Sequence, residues 1–512
     1  MVKDAAQKKI ERPPVICIMG HIDHGKSTLL DYIRKTNIVD SEAGGITQKI
    51  SAYEVVHKGK KITFLDTPGH ESFAKIRQRG ASAADIAVLV VSAEDGVKKQ
   101  TLEAFQCIKE SGTPLIVAIN KIDKSGADIE RTKANLAENE IYLEGYGGTV
   151  PFVPISAKFG QGVDDLLDLM LLMAEVEELR GDSTKGAEGV VIEANLDKQK
   201  GISATLIIKE GTISSGMFVA CGHALAPTRI MEDFTGKKIK TATFSAPIRI
   251  IGFDSLPKVG TKFFAFTSKD EAVNYIASYL EPEVIKTNLS PALSLANERE
   301  EKEGEEKAEE NVGVINVLIK ADVTGSIEGI EHELQKIRTD RMKVKIVHIG
   351  VGDISENDVH LLGNKPDSLI LGFNVKADQR ALMTAENAGI PIKTFDIIYK
   401  LTEWLTEMAL AKTPKLQVEE MSGRAKILKF FSAVKDKNII GARVEEGEIK
   451  TGDEVKILRQ EVEVGRGRIR ELQQLKEKVS VVRSGVEFGC QLQTTITPAP
   501  GDKIEAFNII QR

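Results

Sequence analysis

At 512 residues the chain is too long for one hydrophobic core, and its length predicts three or four domains. With 42% hydrophobic and 28% charged residues, the composition is typical of a soluble globular protein. A net charge of -6 argues against a polyanion covering the whole surface, although separate domains can still carry basic faces. Aromatic residues make up 5% of the chain, which does not indicate a base-stacking platform for single-stranded nucleic acid.

The cysteines and the apolar segments predict a cytoplasmic protein without a membrane partner. None of the four cysteines belongs to a CxxC pair, so we expect neither a disulfide framework nor a zinc site. The start of the chain is charged and lacks the apolar core of a signal peptide. The longest apolar runs, such as residues 86–91, are too short to span a bilayer.

Changes in sequence texture predict six segments along the chain. In the first, short apolar runs alternate with amphipathic stretches, as in a parallel sheet covered by helices on both faces. Short strands with glycine turns then favour a small β-barrel, and an acidic low-complexity run is interpreted as a solvated linker. A second α/β segment, a connecting helix and a second barrel follow. The predicted boundaries are 12–182 for the first α/β domain, 187–285 for the barrel, 286–311 for the linker, 312–398 for the second α/β domain, 399–414 for the helix and 415–512 for the C-terminal barrel.

A phosphate-binding loop opens the first segment. The stretch GHIDHGKS, residues 20–27, satisfies the pattern G-x-x-x-x-G-K-[ST] between a predicted strand and a predicted helix. Glycine lets the backbone approach phosphate closely, and the helix N-terminus adds positive potential. We expect Lys26 to reach the β- and γ-phosphates and the Ser27 hydroxyl to bind Mg2+. By itself the pattern leaves open a chance match or an adenine-nucleotide enzyme.

Two later segments indicate guanine as the base. NKID, residues 120–123, ends a predicted strand, and its Asp123 carboxylate can accept from both N1–H and the 2-amino group of guanine, a donor pair that adenine lacks. SAK, residues 156–158, ends a further strand and is expected to support the base. Because ligands gather at the carboxyl ends of strands in such sheets, the segments together predict GTP and GDP as ligands. The predicted nucleotide-binding residues are Gly20, His21, Ile22, Asp23, His24, Gly25, Lys26, Ser27, Thr28, Asp66, Thr67, Pro68, Gly69, His70, Asn120, Lys121, Ile122, Asp123, Ser156, Ala157 and Lys158.

The segment LDTPGH suits recognition of the terminal phosphate. Asp66 ends a predicted strand and can hold Mg2+ through water, while Gly69 offers a peptide N–H to the γ-phosphate. The glycine-rich loop EAGGITQKI can order around the metal through the Thr47 hydroxyl, as a switch does. We therefore predict a metal site of Ser27, Thr47 and Asp66. An ordinary loop with an N-capping threonine is the alternative at Thr47.

His70 is the candidate catalytic residue. A histidine beside the γ-phosphate can orient the attacking water, a role that other GTPases give to glutamine. On local grounds alone, a solvated loop histidine is an equal interpretation.

Taken together, these segments resemble the bacterial translation initiation factor two family of translational GTPases. The similar stretches include GHIDHGKSTLLD, EAGGITQKISAY, FLDTPGHESFAKIRQRG and NKID in the first segment. LIKADVTGSIEGIEHEL, IIYKLTEWL and GDKIEAF resemble later domains of the family, so the likeness covers nearly the whole chain. The resemblance implies a multidomain α/β and β-barrel protein: a P-loop GTPase domain, a β-barrel, an α/β/α domain, a connecting helix and a C-terminal β-barrel.

The resemblance also implies a function. Members of the family dock formyl-methionyl initiator tRNA on the small ribosomal subunit, promote joining of the large subunit, and hydrolyse GTP when the ribosome activates them. By this resemblance His70 positions the attacking water. The free protein is expected to be monomeric. The N-terminal extension common in the family has no counterpart here, so any anchoring that it provides is expected to be absent or replaced.

The C-terminal barrel departs from the family pattern where formyl-methionine is recognised. The family shows a Glu-Cys-Gly turn, whereas this chain has GVEFGCQLQ. Upstream, GRGRIR places three arginines at alternate positions, on one strand face that can meet tRNA phosphates. A solvated strand edge is the alternative. The candidate tRNA-binding residues are Arg466, Arg468, Arg470, Phe488, Gly489 and Cys490.

Two other functions stay open on the sequence alone. One is another ribosome-associated translational GTPase, such as an elongation, recycling or selenocysteine-delivery factor, although the third and fourth domains argue against it. The other is a GTP-gated binding regulator with little hydrolysis, which differs in whether ribosomes stimulate turnover. A metabolic enzyme is disfavoured, because the sequence offers no second constellation of acid, base or nucleophile.

Overall fold

The computed structural model describes residues 9–35, 47–288, 313–337, 342–363, 365–412, 417–434, 437–475 and 477–511. The chain divides into two compact units, Met1–Lys412 and Thr413–Arg512. Within the described ranges, no helix is long and apolar enough to cross a membrane. Residues 42–46 of the predicted switch loop and residues 289–311 of the predicted acidic linker lie outside the described residues.

The first α/β region, residues 9–181, is built around a six-stranded sheet. The strands of the whole region are β1 (Ile10–Glu11), β2 (Val15–Gly20), β3 (Ser51–His57), β4 (Lys60–Asp66), β5 (Ile86–Ser92), β6 (Leu115–Asn120), β7 (Phe152–Pro154) and β8 (Arg180–Gly181). Its helices are α1 (Lys26–Arg34), α2 (Ala74–Ala83), α3 (Lys99–Ser111), α4 (Ile129–Glu138) and α5 (Val163–Val176). The short strands β1 and β8 pair with each other, and the others form the sheet in the order β3-β4-β2-β5-β6-β7.

This sheet is parallel apart from β3, which runs antiparallel to β4. Helices α2, α3 and α4 pack on one face, and α1 and α5 pack on the other. The central strands β2 and β5 are buried along their whole length, which explains their continuous apolar sequences. Parallel strands end at a common edge, so the loops after β2, β4, β6 and β7 gather there. These loops are the segments predicted to bind nucleotide.

An antiparallel β region follows the first α/β region. Its strands are β9 (Glu188–Asp197), β10 (Gly201–Glu210), β11 (Thr212–Ser214), β12 (Phe218–Cys221), β13 (Ala224–Pro227), β14 (Ile230–Asp233), β15 (Lys238–Ile239), β16 (Thr241–Thr243), β17 (Pro247–Ile251) and β18 (Lys262–Phe266). Eight of them form a sheet in the order β13-β12-β18-β9-β10-β17-β14-β15, and β11 pairs with β16. One apolar core fills this region, and α6 (Lys269–Asn288) follows it.

The second α/β region, residues 313–412, contains a four-stranded parallel sheet. Its strands are β19 (Gly313–Ala321), β20 (Met342–Val351), β21 (Ser368–Phe373) and β22 (Ile392–Phe395), in the order β20-β19-β21-β22. Its helices are α7 (Thr324–Lys336), α8 (Glu356–Leu362), α9 (Gln379–Ala388) and α10 (Ile398–Lys412). Apolar residues of α7 and α10 share one continuous core with the first α/β region. The two regions are therefore packed together and not merely linked.

The C-terminal unit is a closed β-barrel. Its strands are β23 (Gln417–Val434), β24 (Lys437–Lys450), β25 (Glu454–Arg459), β26 (Val462–Gln474), β27 (Glu477–Val479), β28 (Val481–Arg483), β29 (Glu487–Gln493) and β30 (Lys503–Gln511). The order β23-β30-β25-β26-β29-β24 closes on itself, because β23 also pairs with β24. Closure removes exposed sheet edges and encloses one apolar core. The predicted combination of α/β and β-barrel-like folds is thereby confirmed.

Candidate functional site

The predicted phosphate loop makes a sharp turn between β2 and α1. Gly20 ends β2 with a φ of 138°, and a Cβ there would lie 2.4 Å from the Val90 carbonyl oxygen. A single 3-10 turn, Ile22–His24, leads to Gly25, whose φ is 87°. Both conformations favour glycine, because other residues meet steric strain there. The two glycines of the motif therefore shape the loop and lead directly into the N-terminus of α1.

The side-chain amide of Asn120 connects the phosphate loop to the loop after β7. Its Nδ2 donates to the His24 carbonyl oxygen at 2.8 Å, and its Oδ1 accepts from the Ala157 N–H at 2.9 Å. Asn120 is only 2% exposed, so both hydrogen bonds lie in the low-dielectric interior. A Cβ at Gly25 would lie 2.4 Å from Nδ2. One buried amide thus fixes the spacing of the loops that follow β2, β6 and β7.

The Lys26 ammonium is buried beneath these loops. Its Nζ donates to the His21 carbonyl oxygen at 2.7 Å. Burial lowers the pKa of Lys26 to about 8, and the nearby Asp66 carboxylate opposes that shift. A Cβ at Gly69 would lie 2.6 Å from Nζ, so the Gly69 backbone passes directly over the amine. The structure therefore brings together the lysine and the glycine that were predicted to contact the terminal phosphates.

Three oxygen-bearing side chains meet beside Lys26. The Ser27 hydroxyl lies 3.2 Å from the Thr47 hydroxyl, which donates to Asp66 Oδ2 at 3.4 Å. Thr47 and Asp66 are both buried. Hydroxyl and carboxylate oxygens are hard donors of the kind that Mg2+ prefers. This donor set fits the predicted magnesium site.

Asp123 lies at the exposed edge of the sheet, where the base is predicted to bind. Its Oδ1 accepts from the Ser156 hydroxyl at 2.7 Å, and this hydrogen bond lowers the pKa of Asp123 below its ordinary value. The neighbouring Lys121 has a φ of 64° and pairs with Asp95 at 3.3 Å. Asp123 is therefore ionised at neutral pH and accessible to a ligand that offers two N–H donors.

Several other predicted nucleotide-binding residues have structural partners. Thr67 is fully buried, and its hydroxyl donates to a carbonyl oxygen of β2 at 2.8 Å. The Ile22 N–H donates to Gln100 Oε1 at 3.2 Å. Burial lowers the pKa of His24 to about 3, so its ring is neutral. The remaining members of the set lie in or beside the same loops: His21, Asp23, Thr28, Pro68, Ile122 and Lys158.

The His70 side chain is packed against the second α/β region. The centre of its ring lies 4.4 Å from that of Tyr399 in α10 and 6.1 Å from that of Phe73. Its Nδ1 accepts from the Ser72 N–H at 3.1 Å. Burial lowers the pKa of His70, although the Glu333 carboxylate opposes the shift. These contacts attach the His70 side chain to the turn that follows it and to α10.

Gln48, which the sequence did not single out, connects the predicted switch loop to α10. Its Nε2 donates to the Asp396 carbonyl oxygen at 2.9 Å, and its Oε1 accepts from the Ile398 N–H at 3.3 Å. These partners are 348 and 350 positions away in the chain. Sequence alone does not show partners this distant. The one indication that Gln48 has a role was its position next to Thr47 in the predicted switch loop.

In the C-terminal unit, the candidate tRNA-binding side chains lie on opposite faces of one sheet. Arg466, Arg468 and Arg470 are exposed on β26, which pairs with β29. Phe488 and Cys490 point into the barrel core, and burial raises the pKa of the Cys490 thiol to about 12. The structure therefore does not place the two groups on one surface. A signal was available, because apolar residues alternate along β29 with the period of an inward-facing strand.

Three family models match consecutive parts of the chain. The Elongation factor Tu GTP binding domain matches residues 11–176, and Elongation factor G domain 2 matches residues 186–266. Translation-initiation factor 2 matches residues 292–406.

Curated proteins named Translation initiation factor IF-2 are similar over almost the whole chain. The protein from Rubrobacter xylanophilus is 39% identical over 99% of this chain and 73% of its own length. Those from Lachnospira eligens and Nitratiruptor sp. are 39% and 42% identical, over 99% and 98% of this chain. This chain spans 54% and 59% of the lengths of those two relatives.

The contact between Gly25 and Asn120 predicts that Gly25→Ala weakens nucleotide binding. The new Cβ must displace the Asn120 amide, and we expect the affinity for GDP to fall at least about tenfold, which is roughly 1.4 kcal/mol. Titration with a fluorescent GDP analogue measures the change.

Gly59→Ala is the matched control. Gly59 has a similar φ of 80°, but a Cβ there meets no atom within 4 Å. It shares the backbone strain and lacks the collision, so its affinity for GDP should stay at the wild-type value. Equal losses in both variants would contradict the assignment of the Asn120 contact.

Proposed function

This chain belongs to the translation initiation factor IF-2 family, and we propose that it is a GTP-dependent translation initiation factor. In this proposal it binds formyl-methionyl initiator tRNA, promotes its placement on the small ribosomal subunit and the joining of the large subunit, and hydrolyses GTP on the ribosome. The observation that carries the proposal is the Asn120 amide, which joins a phosphate loop and a candidate guanine loop into one site.

The phosphate loop accounts for binding of the triphosphate. The N–H groups at the start of α1 and the buried Lys26 ammonium present positive potential to an anion in a low-dielectric setting. With a pKa of about 8, Lys26 is mostly protonated at pH 7. A phosphate next to it favours the charged form further, because an opposite charge raises the pKa of an amine.

The residues proposed to hold Mg2+ are Ser27, Thr47 and Asp66. When bound, the ion neutralises charge on the β- and γ-phosphates. The Thr47 hydroxyl lies between the other two side chains, so its position depends on both Ser27 and Asp66. Movement of Thr47 would also move Gln48, which contacts the start of α10.

Hydrolysis requires a water molecule in line with the bond that breaks. The water oxygen attacks the γ-phosphorus, and the bond to the β–γ bridging oxygen breaks with its electron pair left on GDP. The water proton passes to an oxygen of the transferred group, which is released as inorganic phosphate. His70 is the proposed water-positioning residue. Because its ring is buried against Tyr399, we expect slow hydrolysis by the free protein and acceleration on the ribosome.

The three exposed arginines of β26 are proposed to contact the tRNA backbone. Arginines at alternate positions of a strand share one face and can neutralise successive phosphates. Along strand β29, the side chains of Phe488 and Cys490 are buried, while Gly489 is partly exposed. The aminoacyl end is therefore proposed to contact this strand at Gly489.

The guanine contact predicts a change of base preference in Asp123→Asn. Replacing a charged acceptor removes one hydrogen bond to the 2-amino group, so the affinity for GDP should fall by roughly tenfold to a hundredfold. The new amide can donate to the 2-oxo group of xanthine, and the affinity for xanthosine diphosphate should rise. Competition titrations with both nucleotides measure the shift. Asp165→Asn, an exposed carboxylate on α5, is the control, and unchanged selectivity in Asp123→Asn would refute the contact.

GTP turnover with purified ribosomes, with and without charged formylated initiator tRNA, tests the function directly. The initiation proposal predicts stimulation by ribosomes and a further response to the initiator tRNA. If ribosomes stimulate GTP turnover to the same extent with and without this tRNA, another ribosome-associated translational GTPase is favoured. Turnover that ribosomes do not change would favour a GTP-gated binding regulator with little hydrolysis.

In the same assay, His70→Ala should lose ribosome-stimulated turnover by at least about a hundredfold while nucleotide affinity stays nearly intact, because removal of a water-positioning group acts on the chemical step. His223→Ala, an exposed histidine in the β region, is the control and should behave as wild type. Ribosome-stimulated turnover that survives His70→Ala would show that His70 has no catalytic role.

A further inference from the structure

The His70 ring occupies a pocket made by three elements. The first is the 3-10 turn Glu71–Phe73 that follows it, and the others are α7 and α10 of the second α/β region. The ring of Tyr399, at the start of α10, meets the imidazole at an interplanar angle of 80°. Only 6% of His70 is exposed. The residue proposed to position the attacking water is therefore enclosed by the second α/β region.

Hydrogen bonds connect the imidazole to α7. The Ser72 N–H donates to His70 Nδ1 at 3.1 Å, and the Ser72 hydroxyl donates to Glu333 Oε1 at 2.6 Å. Lys336 donates to the same Glu333 oxygen at 2.9 Å and also pairs with Glu71. Burial would raise the pKa of Glu333, but the hydrogen bonds from Ser72 and Lys336 bring it below its ordinary value. Glu333 is therefore charged at neutral pH and anchors the turn that holds His70.

The position of the ring also limits its access to water. The Ser72 hydroxyl oxygen lies 2.5 Å from His70 Nδ1, and the Ser72 amide nitrogen lies 3.1 Å from the same atom. Burial lowers the pKa of His70, which keeps the ring neutral at pH 7. With Nδ1 in contact with Ser72 and only 6% of the residue exposed, His70 is shielded from the water that it is proposed to position.

These contacts form because the α7 backbone lies close to the turn Glu71–Phe73 and to α2. A Cβ at Gly329 would lie 2.5 Å from the Phe73 ring, and one at Gly325 would lie 2.8 Å from Ile76 Cδ1. Both glycines thus let α7 sit directly on the turn and on α2. At this separation the Glu333 carboxylate reaches the turn without a bridging water.

We propose that Glu333 and Tyr399 form a latch that keeps His70 out of the nucleotide site until α7 and α10 release it. The inference rests on the proposed function of His70 as the water-positioning residue. Glu333 and Tyr399 act through His70, so they are positioning residues and not catalytic ones. The latch gives the second α/β region control over hydrolysis, because the free protein keeps its GTP while both helices stay on the turn.

The test is the single-turnover rate of GTP hydrolysis by the full chain without ribosomes. Tyr399→Ala removes the ring that covers His70, and the fold should tolerate it because Tyr399 is 43% exposed. We expect the rate to rise about three- to tenfold, the population shift that follows from losing one aromatic contact. The rise should vanish in the double variant Tyr399→Ala/His70→Ala.

Glu333→Ala is the second variant and should raise the rate in the same direction, because Ser72 loses its anchor on α7. Glu331→Ala is the matched control: it is a partly exposed glutamate on the same helix, two positions before Glu333. The control should hydrolyse GTP at the wild-type rate. The latch is refuted by wild-type rates in both variants, or by a rise that persists in the absence of His70.

Nitrogen NMR of the chain labelled in its histidines adds a readout that does not depend on turnover. The wild-type protein should show a His70 pKa below the ordinary value, because the ring is buried, and Tyr399→Ala should move that pKa back up. An unchanged His70 titration in this variant would overturn the latch.

Failure of the latch and failure of the proposed function give different results. Ribosome-stimulated turnover that survives His70→Ala refutes the role of His70 itself. Loss of that turnover in His70→Ala, together with unchanged ribosome-free rates in Tyr399→Ala and Glu333→Ala, refutes the latch alone.

Discussion

The buried Asn120 amide is the interaction on which the nucleotide site depends. It donates to the phosphate loop at His24 and accepts from the loop after β7 at Ala157, so three chain segments meet at one side chain. Neither an aspartate nor a leucine could satisfy both partners, and each buried group left unpaired costs about 1–3 kcal/mol. The amide also occupies the space next to Gly25, which explains why that position carries no side chain. The phosphate and base ends of the site therefore do not move independently.

Contacts from two loops of the site converge on the start of α10. Gln48, next to the proposed metal residue Thr47, binds the backbone there through both ends of its amide. The His70 ring packs on Tyr399, one position after the first residue of the helix. Gln48 and His70 are buried, so a movement of either loop must repack the helix terminus or leave polar groups unpaired. Coupling between two sites is reciprocal, so a movement of α10 also changes the contacts of both loops.

Local sequence predicted the parts of the site that depend on backbone geometry and on strand ends. The phosphate loop was recognisable because its glycine spacing and its position between a strand and a helix are local properties. The neighbours of His70 were not predictable in this way, because α7 and α10 meet the turn only through tertiary packing. Phe488 and Cys490 were predicted to bind tRNA because of the family resemblance. The alternating apolar residues of β29 already indicated that both side chains face the barrel core.

One guanine nucleotide is expected to bind per chain, in the loops held by Asn120. Isothermal titration calorimetry of the purified chain with GTP, GDP and ATP tests it most directly. We expect one site for each guanine nucleotide and an affinity for ATP lower by at least about a hundredfold, because adenine leaves the Asp123 carboxylate without its two donors. Absence of heat with GTP and GDP, or equal affinity for ATP, would show that these loops do not form a guanine-nucleotide site.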